Sequence, residues 1–135
     1  GTLDSGHAKT VKTKDITRES EIFNHSAIDS IRDLERLTGK KILPSIFEGY
    51  ISQMDEKLEE IKRCALSKDT ASTYRTAHAI KSMSANIGAE KVRKISAAIE
   101  KKSRENDLTQ ANESIELLAK AYHEFVDEFE TEISI

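Results

Sequence analysis

The residues best placed to do chemistry lie in the segment AHAIKSMSANIGA, Ala77 to Ala89. On a helix, at about 100° per residue, Thr73, Ala77, Ile80, Ser84 and Ile87 share one stripe, the most apolar available, which should turn inward. His78 falls roughly 100–140° from that stripe and should reach solvent. Its helix-surface neighbours at i−4, i+3, i+4 and i+7 are Tyr74, Lys81, Ser82 and Ala85. Imidazole exchanges its proton near neutral pH, so an exposed ring offers a nitrogen lone pair as a nucleophile. Lys81, one turn on, can set a cation beside a phosphoryl group carried on that nitrogen. Ser82 and Ala85 keep the surface low, so a partner protein can approach the ring. A single exposed histidine on a helix is more often only a solvated polar side chain. His7, His25 and His123 read that way: the first two lie in or near a polar N-terminal arm, and the third sits among acidic residues.

Other chemistries find no matching spacing. HExxH and CxxC are absent, so no metal site is expected. A Walker loop, GxGxxG and GxSxG are absent too, which leaves no nucleotide cradle and no hydrolase elbow. Cys64 is the only cysteine, so no internal disulfide can form; it reads as a small core or boundary residue and fits a reducing compartment. The basic residues Lys91, Arg93, Lys94, Lys101, Lys102 and Arg104 are balanced by nearby glutamates, no aromatics interleave with them, and the net charge is -3. Nucleic-acid binding is therefore not expected. No apolar run approaches the ~20 residues that span a bilayer, and no signal peptide is visible.

The elements that must position His78 are all helical by pattern. The chain has 135 residues, 33% charged, with one proline and no tryptophan, which fits a single all-α domain able to bury its own core. Residues 1–24 are polar and without periodicity, and read as a linker or arm; residues 25–135 form the expected domain. A short helix carries Ile28, Ile31, Leu34 and Leu37, and Gly39 stops it. The next starts between Lys40 and Pro44 and presents Phe47, Tyr50, Ile51, Met54, Leu58, Ile61 and Ala65. Asp69 or Thr70 can cap the helix of His78, which should run to about Asn86 with Gly88 as its end. Glu90 to Arg104 form the following helix, with Val92, Ile95 and Ile99 on one face. The last carries Ala111, Ile115, Leu118, Tyr122, Phe125 and Phe129 at three-four spacing. Four long amphipathic helices with short connections predict an antiparallel up-down-up-down four-helix bundle, the short first helix covering one end.

His78-Ala79-Ile80-Lys81-Ser82, then Asn86-Ile87-Gly88-Ala89 and later Ile99-Glu100, resemble the histidine-containing phosphotransfer (HPt) domain. That family shows His-x-hydrophobic-Lys-Gly, a run of small residues, a hydrophobic-Gly-Ala step and a later hydrophobic-Glu pair. The resemblance spans nearly all of the chain beyond the arm. It implies that His78 accepts a phosphoryl group from a receiver-domain aspartate and passes it to another receiver, with Lys81 stabilising the group. Tyr74, Ser82, Ala85, Glu100 and Arg104 would contact the partner or the histidine. Gly88 and Ala89 would make the tight turn, and Ile31 and Leu34 could extend the apolar collar. Ser82 departs from the family's glycine, and Glu100 stands where a glutamine commonly makes the histidine contact.

The resemblance further implies a phosphocarrier rather than an enzyme, with no cofactor of its own and Mg²⁺ in the partner receiver. The partners would be response-regulator receivers, bound transiently. The domain would be a monomer without direct membrane contact, cytoplasmic, and most simply the C-terminal module of a hybrid sensor histidine kinase. A free-standing carrier, the phosphoacceptor domain of a chemotaxis-type kinase, and a helical interaction module without phosphotransfer stay open as alternatives.

Overall fold

Short polar residues and glycines punctuate the chain, and several of the helix ends fall on them. The computed structural model describes residues 22–133. Within them five α-helices follow one another: α1 His25–Thr38, α2 Leu43–Leu66, α3 Thr70–Ile87, α4 Glu90–Arg104 and α5 Ala111–Ile133. Asn24 caps α1 by accepting from the Ser26 N–H at 3.0 Å, and Asp69 caps α3 by accepting from the Ser72 N–H at 3.0 Å. Gly39 closes α1 at φ 70° and Gly88 closes α3 at φ 80°, left-handed conformations that glycine adopts without a Cβ penalty.

The start of α2 is capped from a distance. Ile42 offers no capping side chain, but Glu35 of α1 accepts from the N–H groups of Leu43 at 2.9 Å and Ile42 at 2.7 Å. These bonds hold the Glu35 carboxyl below the usual glutamate range. Pro44 in the first turn sacrifices no helical hydrogen bond.

Contacts between residues give the topology. Tyr50 of α2 meets Ser84 of α3, and ten residues later Glu60 meets Thr76, so the two helices run in opposite directions. His78 with Glu100 and Tyr74 with Arg104 show the same reversal between α3 and α4. Helix α4 packs on α5, α5 returns to α2, and α1 lies against α2 and α3. The result is the expected antiparallel four-helix bundle with one extra N-terminal helix.

Aromatic side chains fill the end of the bundle nearest α1. Phe47 and Phe129 stack with centroids 4.1 Å apart, and Tyr50 meets Phe125 and Tyr122 edge-on. Fully burying each such side chain contributes about 1.5–3 kcal/mol. Burial pushes the Tyr122 hydroxyl up to about 12.

The boundary of the arm needs correction. Most of the proposed arm, residues 1–21, lies outside the described residues, as do 134–135 at the other end of the proposed domain. Phe23, however, belongs to the core. It is 3% exposed, packs on Phe125 at 5.2 Å and bridges Ala89 through its backbone. Two apolar residues, Ile22 and Phe23, ahead of a helix leave no periodic trace, so the pattern places them in the arm. Asn24, next to Phe23, donates its N–H to the Gly88 carbonyl at 2.7 Å. A Cβ on Gly88 would stand 2.5 Å from the Asn24 carbonyl oxygen, so this glycine is needed for chain approach as well as for its φ.

Candidate functional site

Helices α3 and α4 face each other through small side chains. Thr73, Ala77 and Ser84 on α3 and Ser96 and Ser103 on α4 are all buried. The hydroxyls of Ser96, Ser103 and Thr73 donate to the carbonyls of Val92 (2.7 Å), Ile99 (2.8 Å) and Asp69 (2.8 Å), one turn back on their own helices. They are therefore satisfied without needing a partner across the seam. Ser84 bonds the Tyr50 hydroxyl instead, at 2.8 Å. With little bulk between the axes, an α4 side chain of ordinary length can reach the outer face of α3.

Glu100 does so. It lies between Ser96 and Ser103 on the buried stripe and is 4% exposed, yet its carboxylate extends to the surface of α3. Oε2 lies 2.6 Å from His78 Nδ1, and Oε1 accepts from Lys81 Nζ at 2.5 Å. Burial by itself would raise the Glu100 pKa, but the hydrogen bonds and charges of Lys81 and His78 outweigh it and hold the carboxyl below its ordinary range. An ionised carboxylate can only accept, so the proton between the two groups belongs to Nδ1. In the neutral ring Nε2 then carries the lone pair. The His78 side chain is 56% exposed, as the helical wheel required.

The other expected residues fall around this centre. Tyr74 lies one turn before His78, its ring within 18° of parallel to the imidazole at 6.4 Å between centroids. Arg104 donates to the Tyr74 hydroxyl at 3.1 Å and sets its guanidinium carbon 5.2 Å from that ring's centroid. Ser82 and Ala85 are exposed beside the histidine. Gly88 and Ala89 are buried in the α3–α4 turn, ten residues or ~15 Å along the helix from His78; they shape the seam rather than touch the ring. In the turn, Gly88 and Ala89 donate to the carbonyls of Ala85 and Ser84, closing α3 tightly. Ile31 is partly buried against the core and Leu34 half exposed, both on α1 at that same end.

Sequence reading placed Glu100 as one contact among several; the structure makes it the hub shared by His78 and Lys81. The sequence offered only part of the signal: Glu100 follows Ile99 on the edge of the Val92, Ile95 and Ile99 face, and the structure adds Ser96 and Ser103 to the buried stripe beside it. A carboxylate there needs charged partners. Three of the other basic residues of α4 form ion pairs away from the histidine, Lys91 with Glu124, Arg93 with Glu90 and Lys102 with Asp107. No helix among the described residues is long and apolar enough to cross a membrane.

Comparison with known proteins bears on the family and the fold. A family model described as "Hpt domain" matches residues 45–131. No curated protein matches the chain. Among solved structures, histidine-containing phosphotransfer protein B from Pseudomonas aeruginosa PAO1 is similar in fold. Its TM-score is 0.73, covering 82% of this chain and 92% of that one at 19% sequence identity.

Proposed function

The chain belongs to the Hpt domain family, and from that premise we propose that His78 is its phosphoacceptor. The family's role is histidine phosphotransfer in two-component phosphorelays, as a carrier that meets receiver domains transiently. The observation that carries the assignment to His78 is the bond from Nδ1 to the buried Glu100 carboxylate, which leaves Nε2 as the exposed nucleophile.

The step follows from that arrangement. The Nε2 lone pair attacks the phosphorus of an aspartyl phosphate in line, through a loose transition state. The P–N bond forms as the P–O bond to the aspartate breaks, and that bond's electron pair leaves with the carboxylate. The ring gains positive charge while Nδ1–H keeps its bond to Glu100, whose negative charge stabilises the cation. Lys81 can turn from Glu100 toward the new phosphoryl group. The reverse step delivers the group to a second receiver. The divalent ion, Mg²⁺, would come with the receiver. On the same reading the parent protein is a hybrid sensor histidine kinase and the domain works in the cytoplasm.

Mixing the domain with a phosphorylated receiver and following label transfer tests the reading. Acid-labile, alkali-stable label that is lost in His78→Gln is expected. Equal labelling of the variant would remove His78 from the role, and no labelling of either protein would favour an interaction module without phosphotransfer.

A further inference from the structure

Three donors crowd one buried carboxylate. His78 and Lys81 occupy Glu100 Oε2 and Oε1, and Arg104, one turn along α4, stands 3.9 Å from the oxygen that His78 uses. A Glu and an Arg at i,i+4 ordinarily close into a pair, and a guanidinium makes strong charge-assisted bonds to a carboxylate. Here the guanidinium stays at ion-pair distance but makes no hydrogen bond to the carboxylate. It donates to the Tyr74 hydroxyl and rests over the face of that ring. The same ring lies nearly parallel to the imidazole.

We propose that Tyr74 is a positioning residue for His78: by holding Arg104 on its hydroxyl and ring face, it reserves Glu100 Oε2 for His78 Nδ1–H. A carboxylate oxygen shared with a guanidinium gives up part of its negative charge to it, and the Nδ1–H bond weakens. The ring's tautomer is set by the bond its other nitrogen makes. With that bond weakened, the proton moves more often to Nε2, and the lone pair then faces Glu100 instead of solvent. Tyr74 thus acts at the seam and not only on the partner-facing surface. The consequence for phosphoryl transfer rests on His78 being the phosphoacceptor, whereas the consequence for the tautomer does not.

The test reads the imidazole nitrogens directly. Protein with ¹⁵N-labelled histidine is compared by NMR at alkaline pH. The set is wild type, Tyr74→Phe, Tyr74→Ala and the double variant Tyr74→Ala/Arg104→Gln. In Tyr74→Ala the ratio of Nδ1–H to Nε2–H tautomer at His78 should fall about two- to fivefold, the scale of one cation–π contact. Tyr74→Phe keeps the ring and should fall less. The double variant should recover toward wild type, since no guanidinium competes, and transfer rates should follow the same order. An unchanged ratio in both single variants, or a double variant no nearer wild type than Tyr74→Ala, overturns the proposal. Should wild type take no label while the tautomer series behaves as expected, the positioning role stands and the phosphoacceptor reading falls.

Discussion

The seam between α2 and α5 and the seam between α3 and α4 are built by opposite means. The first is filled by large rings, with Phe47 stacked on Phe129 and Tyr50 against Phe125 and Tyr122. The second is lined by alanine, serine and threonine, and it admits one charged group, Glu100. Bulk buries apolar area and holds the bundle together. Smallness shortens the distance between helices, so a carboxylate rooted in the interior can grip a histidine at the surface. Most of the apolar burial is therefore carried by one seam and the chemistry by the other, and damage to the aromatic seam should leave the chemistry largely intact.

Phe129→Ala should give the largest effect, a loss of about 3–5 kcal/mol in urea unfolding, because a fully buried ring is replaced by a cavity. Label transfer per folded molecule should stay at the wild-type level; a matching loss of transfer would mean that the two seams are coupled. Gly88→Ala comes next, with a loss of about 2 kcal/mol or more from the left-handed φ and the Asn24 carbonyl in the way. Thermal unfolding checks it, and an unchanged midpoint would show that the N-terminal segment yields freely. Ser84→Ala strands the buried Tyr50 hydroxyl and should cost about 1–3 kcal/mol by chemical denaturation. That cost would show that the seam's smallness also requires its polar pairing.

The smallest expected effect is a pH dependence. Burial pushes the Glu100 carboxyl up, but Lys81 and His78 outweigh it and its folded pKa lies below the ordinary value of 4.5. On acidification the unfolded chain therefore takes up this proton first. The stability that Glu100 supplies is whole above the unfolded value and is lost as pH falls through the folded one. Wild type should thus lose stability more steeply than Glu100→Gln below pH 4.5, measured as unfolding midpoint against pH. Parallel curves would deny the carboxylate its charged partners.

Features that repeat along the chain were legible in the sequence. The inward stripe of α3, the exposure of His78, the span of α4 from Glu90 to Arg104 and the glycine stops all follow from periodicity and capping. Contacts made once, across space, were not. Phe23 enters the core from outside any helix, Glu35 caps a helix it does not belong to, and Tyr50 pairs with Ser84 across 34 positions. The hub formed by Glu100 was half legible, because the apolar face of α4 next to it could be drawn but the side chains it would meet on α3 could not. The link from Arg104 through Tyr74 to the histidine joins α4 to α3, which no single-helix pattern records.

The central claim is that the α3–α4 seam holds His78 by Nδ1 and presents Nε2 for phosphorylation. Phosphorylating the ¹⁵N-histidine protein from a receiver and recording phosphorus–nitrogen coupling tests it most directly. The account predicts coupling to Nε2 of His78 and to no other imidazole nitrogen. Coupling to Nδ1 of His78, or to His7, His25 or His123, would contradict it.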